Sequence, residues 1–231
     1  MARIQWDLTG ERTYETGVDR GVLYTYDLET KQYNDGVGWN GLTSINETPS
    51  GAEPTAHYAD NIKYLNLMSA EEFGFTIEAF TYPEEFGLCD GSHVEDGLFI
   101  GQQARVPFGL SYRTLIGNDT EANDYGYQLH FVWNALASPS EKAHNTVNEN
   151  PEPTAMSWTA STTPTPFVEH DNLKPTAHVY VDSTKTDPVK LKALEAIIWG
   201  DETNEPRLPS PDEVYNIILG TDTGDGGGTE G

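Results

Sequence analysis

The segment Tyr125–Ala137 reads YGYQLHFVWNALA. Within it Tyr127, Leu129, Phe131 and Trp133 take every second position, with Gln128, His130, Val132 and Asn134 between them. Successive side chains on a strand point to opposite faces, so this alternation predicts a half-buried strand with an aromatic core face. Phe73–Tyr82 repeats the theme, with Phe73, Phe75, Ile77 and Ala79 on one face and Thr76 and Glu78 on the other. Aromatic and β-branched side chains suit a pleated surface. These two segments set the fold class as mainly β.

Further strands are predicted on both sides. Ile4–Leu8 and Gly21–Tyr26 come first, followed by Val37–Ile45, whose two glycines suggest a bulge. Ile62–Met68, Phe108–Ile116, Met156–Thr163 and Ala177–Asp182 complete the set. So many short strands with turn residues between them imply a β-sandwich or partial barrel. Helix is expected only late. Asp187-Pro188 is an N-cap followed by proline at the first helical position, and Gly200 is the stop. The spacing of Leu191, Leu194, Ile197 and Ile198 directs that helix's apolar side onto the sheet. A second short helix opens at Ser210-Pro211 and runs through Asp212–Leu219. One domain over residues 1–220 is expected, followed by a flexible Gly/Asp/Thr-rich tail at 221–231.

Three stretches read as polar loops. Glu47–Asp60 (ETPSGAEPTAHYAD) and Ser138–Pro153 (SPSEKAHNTVNENPEP) are long and carry no visible periodicity, and loops of that length are usually functional or disordered. Phe86–Gly97 is shorter and more acidic. Trp39, Trp133 and Trp158 are assigned to the core, where buried aromatics dominate packing.

Charge narrows the function classes. The 231 residues hold 13 Lys and Arg against 37 Asp and Glu, a net charge of −24. Repulsion on that scale opposes gripping nucleic acid or docking on an anionic membrane. The closest basic grouping, Lys185, Lys190 and Lys192, forms no phosphate-binding stripe. The opening MARIQWDLTG has no apolar core of a secretory signal, and no run of about eighteen apolar residues exists to span a bilayer. The single cysteine, Cys89, excludes an intramolecular disulfide, fits a reducing cytoplasm and reads as a small buried hydrophobe.

Motifs for chemistry are missing. The chain has no GxxxxGK[ST] loop, no dinucleotide fingerprint and no GxSxG elbow. The six histidines, His57, His93, His130, His144, His170 and His178, show no HxH or HExxH spacing. His130 and His178 fall on the polar registers of their strands, where a surface position is expected, so no metal ligand set is assigned. The acidic run Asp90–Asp96 lacks the order of a calcium loop. Glu84 and Glu85 beside Tyr82-Pro83 are the one pair worth weighing for glycoside chemistry, which needs one acid with a raised pKa. Neither catalysis nor a cofactor is expected.

Several stretches taken together carry a resemblance. They are DRGVLY (Asp19–Tyr24), GVGWNGLTSINETPSGAEPT (Gly36–Thr55), YADNIKYLNLMSAEEFGFTIEAFTYPEEF (Tyr58–Phe86), CDG (Cys89–Gly91), PFGLSYRTLIGND (Pro107–Asp119), ASPSEK (Ala137–Lys142) and PRLPSPDEV (Pro206–Val214). In this order they resemble the major tail proteins of long-tailed phages and prophages of Gram-positive bacteria, over the chain to about Leu219. The resemblance implies a tail-tube subunit, a β-sandwich flanked by a helix whose sheets join between copies. Six subunits would close a ring, and rings would stack through long loops into a channel for genome ejection. It implies residence in the virion tail, assembly in the host bacterial cytoplasm, and tape-measure and tail-terminator or distal-tail proteins as partners. DNA would pass in transit without specific binding. The ring-stacking candidates in the two long loops are Glu47, Pro49, Gly51, Glu53, His57, Tyr58, Glu141 and His144. Candidate lumen-facing acids are Glu71, Glu72 and Glu78. A monomeric β-sandwich that binds host carbohydrate is the alternative; it would present an aromatic face and would not stack.

Overall fold

A computed structural model describes residues 3–140, 142–144, 146 and 153–220. The chain opens with β1 (Thr13–Asp27), β2 (Gln32–Tyr33), β3 (Val37–Trp39) and β4 (Leu42–Glu47). An excursion follows through β5 (Ser50–Gly51), β6 (Pro54–Ala59), β7 (Ile62–Met68) and β8 (Glu71–Glu72) before β9 (Gly74–Ala79) rejoins the sheet. A 3₁₀ turn at Glu84–Phe86 leads into α1 (Gly87–Asp90), β10 (His93–Glu95) and β11 (Leu98–Ile100). Then come the long β12 (Phe108–Asn118) and β13 (Ala122–Ala137), β14 (Met156–Thr162), β15 (His178–Asp182), α2 (Pro188–Trp199) and α3 (Pro211–Leu219).

The fold is mainly β. One nine-stranded sheet runs in the order β2-β1-β12-β13-β14-β9-β4, with β15 also on β13 and β3 also on β1. All its pairings are antiparallel. β13 is shared: Gln128–Val132 pair with β15, whereas Ala135–Ala137 pair with β14. Near the switch, Asn134 sits at φ 49°. That bend lets the sheet curl, and β4 at one end lies beside β1, giving a partial barrel.

Curling creates two apolar layers. The inner one gathers Leu23, Trp39, Phe75, Ile77, Phe108, Leu110, Val132 and Trp158. The outer one sets Val22, Tyr24, Leu129, Phe131 and Trp133 against Leu191, Leu194 and Ile198 of α2 and Val214 of α3. β13 is therefore covered on both faces, and the half-buried strand expected from its alternation is corrected: Gln128, His130 and Val132 are buried, as are Leu129, Phe131 and Trp133. Burying each large apolar side chain contributes about 1.5–3 kcal/mol. Polar ties fix the helices in place. Tyr24 donates its hydroxyl to the carbonyl of Ile198 (2.8 Å), and the Trp133 indole N–H to the carbonyl of Pro209 (2.9 Å).

α2 forms as predicted, with the Asp187 side chain accepting from the Val189 N–H. The Ser210 hydroxyl caps α3 by accepting from the Glu213 N–H. Ile4–Leu8 is not a strand; Ile4, Trp6 and Leu8 are exposed, because a short apolar run without a partner strand has no ladder to join. Val37–Ile45 splits into β3 and β4 at Asn40-Gly41, where Gly41 has φ 77°. The tail at 221–231 lies outside the described residues.

Candidate functional site

β4 leaves the sheet at Glu47 and β9 re-enters at Gly74; between them stands an arm. The expectation of an unstructured loop at Glu47–Asp60 is overturned. β5 pairs with β8, Ser50 opposite Glu72 and Gly51 opposite Glu71. Beyond them β6 pairs with β7 from Pro54–Met68 to Ala59–Ile62. The reversal is Asp60-Asn61, with φ of 51° and 62°. Two consecutive positive φ values are the signature of a tight hairpin turn whose twist matches its strands, and Asp and Asn tolerate it well. The six residues of β6 give the arm a reach of about 20 Å.

Among the described residues, nothing covers the faces of the β6–β7 hairpin. Every residue of β7 is exposed, and Tyr58, Ile62, Tyr64, Leu67 and Met68 each keep more than half of their surface in water. Tyr64 and Met68 point to one face and Leu65 and Leu67 to the other, so both faces are apolar. A two-stranded hairpin is at best marginally stable by itself, and apolar side chains on both of its faces want a partner surface.

Of the ring-stacking candidates, Glu47 ends β4 at the arm's foot, Pro49, Gly51 and Glu53 lie in its lower part, and His57 and Tyr58 sit exposed midway along β6. His144 is exposed without regular structure, and Glu141 lies outside the described residues. Glu71 and Glu72 form β8 and are exposed, while Glu78 accepts a hydrogen bond from the Ser44 hydroxyl (2.8 Å). A second small hairpin, β10–β11, turns at Asp96-Gly97 and exposes Leu98, Phe99 and Ile100. Part of the acidic stretch read as loop is therefore strand, and its Asp-Gly was the available signal.

At the arm's foot lies a cluster that the sequence did not reveal. His130 of β13 sits directly opposite Tyr112 of β12, and their rings stack at 4.5 Å. On the other side β15 places His178 opposite Val132, one diagonal step from His130. His130 Nδ1 and His178 Nε2 approach to 3.1 Å. Both ends of the arm close over this ladder: Phe73 stacks on His178 (4.4 Å), and Glu47 Oε1 lies 3.5 Å from His130 Nδ1 and 3.7 Å from His178 Nε2. Tyr112 donates its hydroxyl to the same Glu47 oxygen (2.9 Å), and Thr114 Oγ1 meets His130 Nε2 (3.0 Å).

The surface placement expected for these histidines is thus corrected. His130 keeps only 5% of its surface, because β13 is covered on both faces. Burial, reinforced by His178, pushes the His130 pKa down to about 3. His178 is also lowered by burial, against the pull of the Glu47 carboxylate. Burial and the Glu47 charge hold the Tyr112 phenol well above its ordinary range.

Elsewhere the side chains read as structural. Cys89 is fully buried beneath the sheet, and burial raises its thiol to about 12, far from a reactive thiolate. Trp39, Trp133 and Trp158 are core residues as expected. Glu84 and Glu85 are exposed, and every carboxylate shift resolved among the described residues is downward, at Asp27, Asp182, Asp201 and Glu213. Among the described residues no helix is long and apolar enough to cross a membrane.

No protein-family model matches the chain, and no curated protein does. Among solved structures it is similar to the sheath/tube terminator of the PVC extracellular contractile injection system, with TM-score 0.35 and 8% identity over 78% of this chain and 99% of that one. It is also similar to a chain of the PVC sheath-tube complex in the extended state, with TM-score 0.31 and 11% identity over 71% of this chain and 88% of that one. Scores this low assign the chain to no family.

Proposed function

We propose that this chain is a structural subunit of a phage tail tube, which joins copies of itself through the hairpin arm and performs no catalysis. The observation that carries this reading is the arm: a paired, pre-shaped hairpin with large apolar side chains on both faces and no cover among the described residues. An exposed apolar surface of this kind marks an interaction site, and a second copy of the chain in a ring or a stack is the partner this reading assigns to it. The sequence resemblance to major tail proteins of long-tailed phages supports the same reading. On it, stacked hexameric rings form a channel for genome ejection within the virion tail. Tape-measure and terminator or distal-tail proteins would meet the open ends. The net charge of −24 suits a conduit whose wall repels DNA phosphates.

Negative-stain electron microscopy of the purified protein over a concentration and salt series tests this. Salt screens the acidic repulsion, so rings or hollow tubes of uniform width should form more readily as it rises. A monodisperse monomer at every concentration and salt, with the arm intact, would overturn the reading. Glycan binding by that monomer would then favour the carbohydrate-binding module.

A further inference from the structure

We propose that Glu47, His130 and His178 form a binding site for a divalent transition-metal ion, with Zn²⁺ the best fit, that fastens the foot of the arm to the sheet. One ligand atom from each residue converges on a common point: His130 Nδ1, His178 Nε2 and Glu47 Oε1 are separated by 3.1, 3.5 and 3.7 Å. The centre of a triangle with those sides lies about 2.0 Å from each corner, and an ion about 0.7 Å above that plane, as tetrahedral geometry requires, lies about 2.1 Å from each, the length of Zn–N and Zn–O bonds. Two neutral imidazoles with one carboxylate favour zinc and its transition-metal neighbours over calcium or magnesium, which prefer all-oxygen shells. A three-residue set leaves a fourth tetrahedral position for water.

The surroundings fit the same assignment. A metal-bound imidazole normally gives its other N–H to a fixed acceptor, and Thr114 Oγ1 stands 3.0 Å from His130 Nε2 for that purpose. The Tyr112 hydroxyl steadies Glu47 Oε1, and Phe73 stacks on the His178 ring. The two imidazoles lie within 8° of parallel and face each other nitrogen to nitrogen. Loading the ion replaces that contact, and each ring turns slightly toward the metal. The three ligands come from β4, β13 and β15, so one ion links strands remote in sequence where the arm departs. The site does not depend on what the arm docks against.

Isothermal titration of the chelator-stripped full-length protein with Zn²⁺ tests the proposal, with Co²⁺ absorption as a second readout. The expected result is one tightly bound Zn²⁺ per chain and the intense visible absorption of tetrahedral Co²⁺. Glu47→Gln and His178→Gln, both at partly exposed positions, should each weaken binding at least about tenfold while the circular dichroism spectrum is retained. A His57→Gln/His93→Gln control at exposed histidines should bind as the parent does. No Zn²⁺ binding, or binding that Glu47→Gln and His178→Gln leave unchanged while the control abolishes it, would overturn the site and mark adventitious surface coordination.

Discussion

β13 and β7 resemble each other on paper and differ completely in space. YQLHFVW and IKYLNLM are both strand-length runs rich in aromatic and aliphatic side chains. β13 lies mid-sheet with one curled layer inside and α2 and α3 outside, so its central residues lose nearly all contact with water. β7 has one partner strand and, among the described residues, no layer on either face, and every one of its residues stays exposed. Apolar content therefore marks where burial is needed, whereas topology decides whether the chain supplies it within one subunit. Where it does not, as along β7, the apolar side chains of the subunit stay exposed to water.

Four measurements on the isolated subunit would break or sharpen that contrast. The largest effect belongs to β13. Phe131→Ala should cost about 3–5 kcal/mol in urea unfolding, because a fully buried aromatic leaves a cavity between sheet and helices. A cost under about 1 kcal/mol would mean that the outer layer is loose. Next comes pH, with the protein kept metal-free. His130 is held neutral in the fold, while the unfolded chain binds a proton near the ordinary value of 6.5. Below that value the unfolded state takes up more protons, so stability is complete above about pH 6.5 and falls as pH drops toward about 3. Between pH 7 and pH 5 the loss should be about 2 kcal/mol, and His130→Gln should flatten the slope.

Helix capping should have a smaller effect. Asp187→Ala removes the acceptor for the Val189 N–H and should cost about 1 kcal/mol, visible as a lower thermal midpoint. The smallest effect is expected in the arm. Tyr64→Ser with Leu67→Ser should leave subunit stability within about 0.5 kcal/mol of the parent, since neither side chain is buried. The same pair should abolish association in sedimentation experiments. A double variant that unfolds the subunit would show that the arm packs on its own sheet, and the contrast with β13 would fail.

The strand in Phe73–Tyr82 is legible from its period-two burial, Phe108–Ile116 and Met156–Thr163 from aromatic and aliphatic side chains bounded by turn residues, and α2 and α3 from a cap with a stop. Ile62–Met68 is legible as a strand and is β7, but its partner β6 and their pairing into an arm are not, for a definable reason. Pro49, Gly51 and Pro54 suggested loop, and the turn at Asp60-Asn61 was not read as a hairpin reversal although its residue types permit two positive φ values. Asp96-Gly97 turns a hairpin inside a stretch whose acidity reads as loop, and α1 is a single turn, too short to show helical periodicity.

The sequence by itself determined the mainly β class, the capped helices, the tryptophan core and the acidity, since composition and spacing along the chain are sufficient for each. Only the tertiary structure decided that β13 is covered on both faces, that the arm is covered on neither, and that Glu47, His130 and His178 meet. Spacing along the chain cannot show such a meeting. His130 and His178 come together through the register of β13 on β15, and Glu47 through the curl that carries the end of β4 over them. Register and curl are fixed by packing the whole sheet, because a strand's neighbours, unlike a helix's, come from anywhere in the chain.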